Sequence, residues 1–403
     1  MGMFHRHGKG HDHPSFDRDQ LRGTWVNRRL ADISDRRTRE QLERGLDLGL
    51  EAAPSVQDRT ISLFSRGQQP AFAGINTFLK APYCENIRDV GKYDVAILGA
   101  PFDMGTTYRA GCRFGPQAVR RISALYDSYN ADMGVDLYEE LNLCDAGDVF
   151  VIPSNIEKSF DQIDGAVSFV HKEGAFPVVI GGDHSIGYPD VRAIAPQIEG
   201  RVGIVHLDRH IDMQERDMDE RMHTTPWFHS TNIPNAPASN LVQMGIGGWY
   251  GSRPGMKVAR ERRSTVITIS DVEELGVEKA VEIALEYAWK DAEAVFLSFD
   301  IDSIDSGFVP GTGSPEPGGL LPREALKALR MVAREGICGM EVVEIAPPYD
   351  VSDMTAQLGA RAIMDVLGTL VEEGHLGSRP SRQERERREH EEREEKARGE
   401  EQE

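Results

Sequence analysis

The stretch GIVHLDRHID (203–212) ends an apolar run with two aspartates and a histidine at alternate positions. The stretches PVVIGGDHS (177–185) and AVFLSFDID (294–302) end in the same kinds of residue. Side chains two positions apart in an extended strand point to the same face, so the D-x-H-x-D and D-x-D spacings allow these groups to converge. The candidate metal ligands are His184, Asp208, His210, Asp212, Asp300 and Asp302.

Four carboxylates and two imidazoles gathered near one point need compensating positive charge. A pair of divalent cations provides that charge, and two of the carboxylates are then free to bridge them. Because the set contains nitrogen and oxygen but no sulfur, it suits Mn²⁺ best, with Ni²⁺, Fe²⁺ or Co²⁺ as alternatives. Two bridged cations would also convert a shared water to hydroxide near neutral pH, and Asp212 is spaced to orient that hydroxide.

The rest of the chain alternates short β-branched runs with amphipathic helical stretches, which is typical of an α/β fold. Predicted strands are 93–99, 177–182, 203–208, 241–246, 265–270, 294–300 and 339–344, and predicted helices are 116–126, 157–174, 277–293, 323–336 and 352–373. Continuously apolar strands between helices indicate a mostly parallel sheet covered on both faces. Sites in such sheets form beyond the carboxyl ends of the strands, where the candidate ligands fall.

Composition narrows the class of protein. The 46 basic and 66 acidic residues give a net charge of −20, which argues against a nucleic-acid or anionic-membrane partner. Four cysteines without a C-x-x-C pair predict neither a disulfide framework nor a thiolate zinc site, and fit a reducing cytoplasm. No apolar run approaches the roughly 18 residues that span a bilayer, and no apolar signal region opens the sequence.

The sequence predicts four segments. Residues 1–20 are polar, contain four histidines and are expected to form a disordered tail, for which transient metal capture is the functional alternative. Residues 21–70 show weak helical periodicity around 21–33 and 38–50, and are expected to be an extension packed on the main domain. Residues 71–374 form the catalytic domain. Residues 375–403 form a charged tail that is a solvated helix or disordered.

Two further side chains complete the predicted chemistry. His223, in RMHTTPWFHS, is the candidate proton shuttle because imidazole titrates near neutral pH, and His229 is a weaker rival. Glu344 ends a predicted strand and is placed to accept a planar guanidinium in a bidentate pair. Asp103, Thr107 and Arg109 follow another strand and are predicted to line the mouth of the pocket.

These motifs resemble the ureohydrolase superfamily of arginases, agmatinases and relatives over residues 70–372. The combination of GGDHS, D-x-H-x-D and S-x-D-x-D-x-x-D followed by PGTG carries the resemblance, and PFDMGTTYRAGCRFGP (101–116) is closer to the agmatinase branch. GINTFLKAPY (74–83) and HTTPWFH (223–229) are similar to the guanidine hydrolase subgroup.

The resemblance implies a three-layer α/β/α sandwich around about eight strands, assembled as a homotrimer or homohexamer. By the family pattern, one cation would be held by His184, Asp208, Asp212 and Asp300, and the other by His210, Asp208, Asp300 and Asp302. The same pattern places His223 at the proton shuttle and Glu344 at the guanidinium site.

The expected activity is hydrolysis of a small cationic guanidino compound of the agmatinase type, releasing urea and an amine. The alternatives are nickel-dependent hydrolysis of free guanidine, hydrolysis of guanidino acids, and a non-catalytic metal-binding subunit of a hetero-oligomer. Four departures from relatives bear on the substrate: Arg209 between two ligands, Thr224 in place of the usual glycine after the shuttle, Trp227 near the shuttle, and Ser314 after PGTG. The guanidine hydrolase subgroup tends to have tryptophan at the last position, and the smaller Ser314 leaves room for a substituent.

Overall fold

The computed structural model describes residues 36–48, 50, 52, 53, 55, 61–65 and 71–377. They belong to two compact units divided after residue 70, and each is described by itself. The first contains helix α1 (Arg36–Asp47), which confirms the helical periodicity predicted for 38–50. The helical stretch predicted around 21–33, the tail 1–20 and residues 378–403 lie outside the described residues.

A single eight-stranded sheet runs through the second unit. Its strands are β1 (Val95–Ala100), β4 (Leu143–Asp148), β5 (Phe176–Gly181), β6 (Arg201–Leu207), β7 (Leu241–Ile246), β8 (Thr265–Thr268), β9 (Ala292–Asp300) and β10 (Gly339–Val343). Their order is β4-β1-β5-β10-β9-β6-β7-β8, and every neighbouring pair is parallel. The two-residue strands β2 (Tyr129–Asn130) and β3 (Val135–Asp136) form a separate antiparallel pair. The predicted mostly parallel sheet is confirmed.

Helices cover both faces of this sheet. They are α2 (Gly115–Ser123), α3 (Leu137–Glu140), α4 (Ile156–Lys172), α5 (Gly187–Ile194), α6 (Pro226–Ser230), α7 (Arg253–Arg262), α8 (Ile269–Leu275), α9 (Val277–Ala288), α10 (Pro322–Arg334) and α11 (Met354–Glu372). Among the described helices, none is long and apolar enough to cross a membrane.

Alternating side chains of each strand enter two separate cores. Ile97 of β1 packs in the core beneath α2, α9, α10 and α11, whereas Ala96 and Leu98 pack in the core beneath α4 and α5. Residues on both faces are buried, which is why the strands are apolar throughout. The three-layer α/β/α sandwich is therefore confirmed.

The sequence missed β4, which reads LCDAGD. This strand lies at the sheet edge, and its Asp145 and Asp148 bind the buried Arg120 of α2. Acidic residues and a glycine break the apolar pattern that marks a strand. The short helices α3, α5, α6, α7 and α8 were also missed.

The central four strands, β5, β10, β9 and β6, are neighbours in the sheet. Because they are parallel, their carboxyl ends lie along one edge of the sheet. His184 follows β5, Glu344 follows β10, Asp300 ends β9 and Asp208 follows β6. The topology thus brings together residues up to 160 positions apart in the chain.

Candidate metal centre and substrate pocket

The first ligand cluster surrounds one nitrogen of His184. Its Nδ1 lies 2.9 Å from Asp300 Oδ2, 3.0 Å from Asp208 Oδ2 and 3.1 Å from Asp212 Oδ2. The four ligand atoms lie within 4.8 Å of one another, and all four residues are buried. These are the residues that the resemblance assigned to the first cation.

The second cluster contains Asp208, His210 and Asp302. His210 Nδ1 lies 3.3 Å from Asp208 Oδ1 and 3.3 Å from Asp302 Oδ2. Asp208 therefore offers one oxygen to each cluster, as a bridging ligand would. Asp300 belongs to the first cluster only in this geometry, so its expected second bridge remains a prediction.

The ligands converge for a different reason from the one predicted. Strand β6 ends at Leu207, so His210 and Asp212 lie in a loop, and Asp212 has a positive φ of 40°. Asp208 Oδ1 accepts a hydrogen bond from His210 N at 2.6 Å, and Asp300 Oδ1 accepts one from Asp302 N at 2.8 Å. In each motif, the side chain of the first aspartate accepts a hydrogen bond from the backbone N–H two residues further on. These hydrogen-bonded turns, rather than strand alternation, bring the ligand side chains together.

The donor set fits divalent cations. His184 Nδ1 and Asp302 Oδ1 are buried and make no hydrogen bond to any described residue. Burial and the neighbouring Asp302 and Asp208 raise the pKa of Asp300 well above its ordinary value. Burial likewise raises the pKa of Asp302, to about 6, against the opposing charge of His210. Positive charge at these positions would relieve the repulsion, and nitrogen and oxygen donors suit Mn²⁺ or Ni²⁺.

Glu344 lies beside this cluster at the end of β10, in a backbone conformation with a φ of 63°. Its Oε1 accepts hydrogen bonds from His184 N at 2.9 Å and His223 Nδ1 at 3.0 Å, and its Oε2 accepts one from Cys112 Sγ at 3.1 Å. Burial would raise the pKa of Glu344, but these contacts, led by the one with His223, lower it. Glu344 is thus a buried anion.

His223 lies between Glu344 and a loop that follows β1. Its Nε2 is 2.9 Å from Thr107 Oγ1, and its backbone N donates to Gly105 O at 3.0 Å. Burial would lower the pKa of His223, but the hydrogen bond and charge of Glu344 raise it to about 9. His223 therefore carries a proton at neutral pH next to the predicted guanidinium site.

The GGDHS motif connects β5 to the loop after β1 and to Glu344. A Cβ on Gly182 would lie 1.8 Å from Phe102 O, so only glycine allows this approach of β5 to the loop after β1. Gly182 O accepts from Glu344 N at 2.9 Å, and Asp183 Oδ2 accepts from Gly105 N at 2.7 Å. The motif sets the backbone on both sides of His184.

A pocket of about 310 Å³ opens above the cluster. It is lined by Thr107, Tyr108, His210, Ile211, Asp212, Gln214, His223, Thr224, Tyr250, Ser252, Asp300, Asp302, Gly313, Ser314 and Glu344. Of the predicted mouth residues, Thr107 lines the pocket and Asp103 and Arg109 do not. Asp103 pairs with Arg113, and the Arg109 guanidinium lies 5.1 Å from the Tyr349 ring centre.

Sequence reasoning missed the aromatic wall. Tyr250 follows β7, and its ring centre is 5.7 Å from that of His210. Tyr108 is 85% exposed at the pocket rim. Because sites lie beyond the carboxyl ends of parallel strands, the position of the loop after β7 could have predicted that it contributes to the pocket.

Three other expectations are corrected. Trp227 is fully buried behind the ligands, with its ring centre 5.4 Å from that of His184, so it forms no pocket wall. His229 Nε2 lies 2.7 Å from Glu220 O, and this residue is absent from the pocket lining. Arg209 points away from the pocket, with Nε 3.5 Å from Glu316 Oε2.

Comparisons with known proteins agree with this geometry. The arginase family model matches residues 93–368. Proclavaminate amidinohydrolase of Streptomyces clavuligerus is 36% identical over 299 residues, covering 74% of this chain and 94% of that one. Its solved structure superposes with a TM-score of 0.70 at 35% identity, covering 75% of this chain and 99% of that one.

Two further relatives match similar shares of this chain. The mitochondrial agmatinase of Gallus gallus is 37% identical over 280 residues, covering 69% of this chain and 81% of the relative. The guanidinopropionase of Pseudomonas aeruginosa is 35% identical over 309 residues, covering 75% and 94%.

The chain therefore belongs to the arginase family. The predicted resemblance is confirmed, and so is the prediction of a hydrolase that acts on carbon–nitrogen bonds.

Proposed function

We propose that this protein is a binuclear metal-dependent hydrolase of a small guanidino compound, releasing urea and an amine. His184, Asp208, Asp212 and Asp300 would hold one divalent cation. His210, Asp302 and the shared Asp208 would hold the other, with Asp300 as a second bridge. The nitrogen and oxygen donors favour Mn²⁺, with Ni²⁺ as the alternative.

One observation carries this proposal: a buried anionic carboxylate, Glu344, faces the same pocket as both ligand clusters. A guanidinium is a planar cation that pairs with a carboxylate through two parallel hydrogen bonds. Glu344 would therefore hold the substrate with its central carbon towards the ligands. The relatives' names, agmatinase and guanidinopropionase among them, denote guanidino substrates and support this class.

When bound, two divalent cations supply the nucleophile, because such cations lower the pKa of water towards neutrality. Hydrolysis would form a bond from the water oxygen to the guanidinium carbon and break the bond from that carbon to the leaving nitrogen, and the two protons of that water would end on the amine. Asp212 lines the pocket floor and would orient the attacking oxygen. His223 holds a proton on the pocket side of Glu344 and would transfer it to the departing amine.

This role of His223 predicts a pH dependence. The protonated imidazole is the active form, so activity is present below its pKa and is lost as pH rises through it. In the protein without cations this pKa is about 9. Nearby divalent cations favour loss of this proton. We therefore expect the decline of kcat with rising pH to have its midpoint at about pH 9 or lower. A pH–rate profile of the wild type and of His223→Asn tests this, and an unchanged alkaline limb in the variant would contradict it.

The described residues that line the pocket include no lysine or arginine. Among the described lining residues, those above the ligands are Thr107, Tyr108, Gln214, Thr224, Tyr250, Ser252 and Ser314. Hydroxyl and amide groups bind neutral or weakly polar parts of a substrate. A substrate carboxylate would find no lysine or arginine partner among these residues. We therefore infer a guanidino substrate without a carboxylate, unlike the substrates that some relatives' names denote.

Steady-state urea release across guanidine, agmatine, guanidinobutyrate and arginine tests this inference. We expect kcat/KM for guanidine or agmatine to exceed the values for the two acids by at least about tenfold, since about 1.4 kcal/mol of unfavourable charge is enough. Ser314→Arg should raise the relative use of guanidinobutyrate, and the matched Ser314→Gln should not. A wild-type preference for guanidinobutyrate would refute a carboxylate-free substrate.

An agmatinase-type compound is the first candidate, and Ser314 leaves room for its substituent. Free guanidine is the second, because the neutral lining also offers no carboxylate to the distal ammonium of agmatine. The ratio of kcat/KM for guanidine to that for agmatine decides between them, with Mn²⁺ and Ni²⁺ loaded separately. A metal-loaded protein that releases urea from none of the four compounds would instead be a non-catalytic subunit.

The remaining features of the proposal follow the family pattern. We propose a homotrimer or homohexamer, which light scattering of the full chain would test. All four cysteines are free thiols, three of them buried, which suits a reducing cytoplasm. We propose residues 71–374 as the catalytic domain, with 1–20, 21–70 and 375–403 outside it.

A further inference from the structure

Two oppositely charged side chains are buried together outside the substrate pocket. Arg209 lies between the ligand candidates Asp208 and His210, and Glu316 lies in the segment between β9 and α10. Their side chains are 4% and 8% exposed, and Arg209 Nε is 3.5 Å from Glu316 Oε2. Neither residue lines the pocket. Burial of two charges costs free energy that their attraction only partly offsets, so this ion pair calls for a further role.

Glu316 holds the loop that follows β7. Its Oε1 accepts a hydrogen bond from Trp249 N at 2.6 Å. A Cβ on Gly248, where φ is 76°, would lie 1.9 Å from Glu316 Oε2. A Cβ on Gly247 would lie 2.9 Å from Arg209 Nη1. Two consecutive glycines therefore allow the backbone of this loop to lie directly against the ion pair.

Arg209 connects the same loop to two other segments. Its carbonyl oxygen accepts a hydrogen bond from Gly247 N at 3.1 Å, and its Nη2 donates one to Pro317 O at 3.3 Å. Its own backbone belongs to the loop that carries the ligand candidates. The ion pair and these hydrogen bonds thus join residues 208–212, 247–252 and 311–319.

All three joined segments contribute to the pocket. The lining residues among them are His210, Ile211, Asp212, Tyr250, Ser252, Gly313 and Ser314. Tyr250 directly follows Trp249, so the hydrogen bond to Glu316 fixes the backbone beside the aromatic wall. The Tyr250 ring stands edge-on to that of His210, with centres 5.7 Å apart and planes at 85°. Because the Tyr250 side chain is 58% exposed, its position depends on the backbone that carries it.

We propose that Arg209 and Glu316 are positioning residues for substrate specificity: they hold Tyr250 beside the second ligand cluster and so limit the size of the guanidino substrate. The pair acts through the loops that it joins, since neither residue lines the pocket. A wall held in place discriminates by size, because a bulkier substrate must displace it. The substrate class in this inference rests on the proposed function, whereas the bracing of the loop does not.

Glu316→Gln breaks the brace with little change in volume. A carboxamide has one acceptor oxygen, which the cationic Arg209 would attract, so Trp249 N would face an NH₂ group instead. The ratio of kcat/KM for agmatine to that for guanidine should rise about tenfold, the scale of pocket contacts that distinguish substrates by one methylene group. The kcat for guanidine should stay within about threefold of wild type, because the ligands and Glu344 are unchanged.

Variants of Arg209 test whether the two residues act as one unit. Arg209→Met removes the charge and the contact with Pro317, and should raise the same ratio. Arg209→Lys keeps the charge without the planar guanidinium, so its effect should be smaller. The double variant Arg209→Met/Glu316→Gln should change the ratio no more than the larger single change. Metal analysis and melting temperatures of each variant verify that the site and the fold are intact.

Hydrogen exchange followed by mass spectrometry measures the brace without any substrate. In Glu316→Gln and Arg209→Met, peptides covering 247–252 should exchange about tenfold faster or more, as for loss of one hydrogen bond to a charged group, while β7 keeps its protection. Asp271→Asn is the matched control. Asp271 Oδ2 accepts a hydrogen bond from Thr268 N at 2.7 Å after β8 and does not line the pocket. Its loss should change neither the exchange of 247–252 nor the substrate ratio.

Unchanged exchange of 247–252 in both variants would overturn the brace. Faster exchange with an unchanged substrate ratio would overturn its role in specificity, and so would additive effects in the double variant. An equal fall in kcat for both substrates would indicate general damage to the site and would also contradict the inference. Failure of the proposed function is distinguishable, because a wild type that releases no urea refutes the activity and leaves the exchange result intact.

Discussion

Substitution of Asp300 by Asn is expected to reduce urea release by roughly three orders of magnitude, the scale of removing an essential electrostatic group from an active site. Asp300 Oδ2 lies 2.9 Å from His184 Nδ1, and its other oxygen accepts from Asp302 N. The isosteric amide removes a negative charge from the first cluster and replaces one acceptor oxygen by a donor. The variant should therefore bind fewer than two cations per chain, measured by metal analysis after gel filtration alongside the urea assay.

Asp148→Asn is the matched control for this experiment. Asp148 also ends a parallel strand, but β4 lies at the sheet edge and Asp148 pairs with Arg120 rather than with the cluster. Arg120 keeps its contact with Asp145 in this variant. Urea release should stay within about twofold of wild type, as for most changes away from a site. Full turnover in metal-loaded Asp300→Asn would refute the assigned site.

Substitution of Glu344 by Gln should separate substrate binding from metal binding. Glu344 belongs to neither ligand cluster, so both cations should remain bound. Loss of a buried charge partner costs about 2–5 kcal/mol, so kcat/KM should fall by a factor of between roughly 30 and several thousand. The same change removes the anion that raises the pKa of His223. A pH–rate profile should therefore show its alkaline limb at lower pH.

Glu344→Asp provides the comparison. It keeps the charge but withdraws the carboxylate by one methylene group, so it should bind metal normally and recover part of kcat/KM. Metal loss in Glu344→Gln would assign this residue to the metal centre instead. Unchanged kcat/KM with full metal content would exclude Glu344 as the guanidinium partner.

The sequence predicted strands best where an uninterrupted apolar run reflects burial on both faces of the sheet. Strands β5, β6, β9 and β10 are buried on both faces, so they read as uninterrupted apolar runs. Strand β4 could not be recognised because its aspartates bind a residue of α2, and that partner is set by the tertiary fold. Local patterns predict elements well only when local composition reflects burial.

The candidate ligands were predictable because their spacing follows from short-range geometry. The pocket wall was not, since Tyr250 and Tyr108 lie on loops whose paths depend on contacts far along the chain. Trp227 was predicted to lie at the pocket wall because it is close to His223 in sequence. Instead, helix α6 places its ring behind His184.

The strand order has a consequence for biosynthesis. Strand β10 is the last strand in sequence, yet it lies between β5 and β9 at the centre of the sheet. Until β10 emerges from the ribosome, the nascent sheet is two halves with unpaired inner edges, one ending at His184 and the other at Asp208 and Asp300. Exposed strand edges of this kind promote aggregation unless the sheet is completed rapidly or chaperones protect the chain. His184 can therefore meet Asp208 and Asp300 in the observed arrangement only after β10 has joined the sheet.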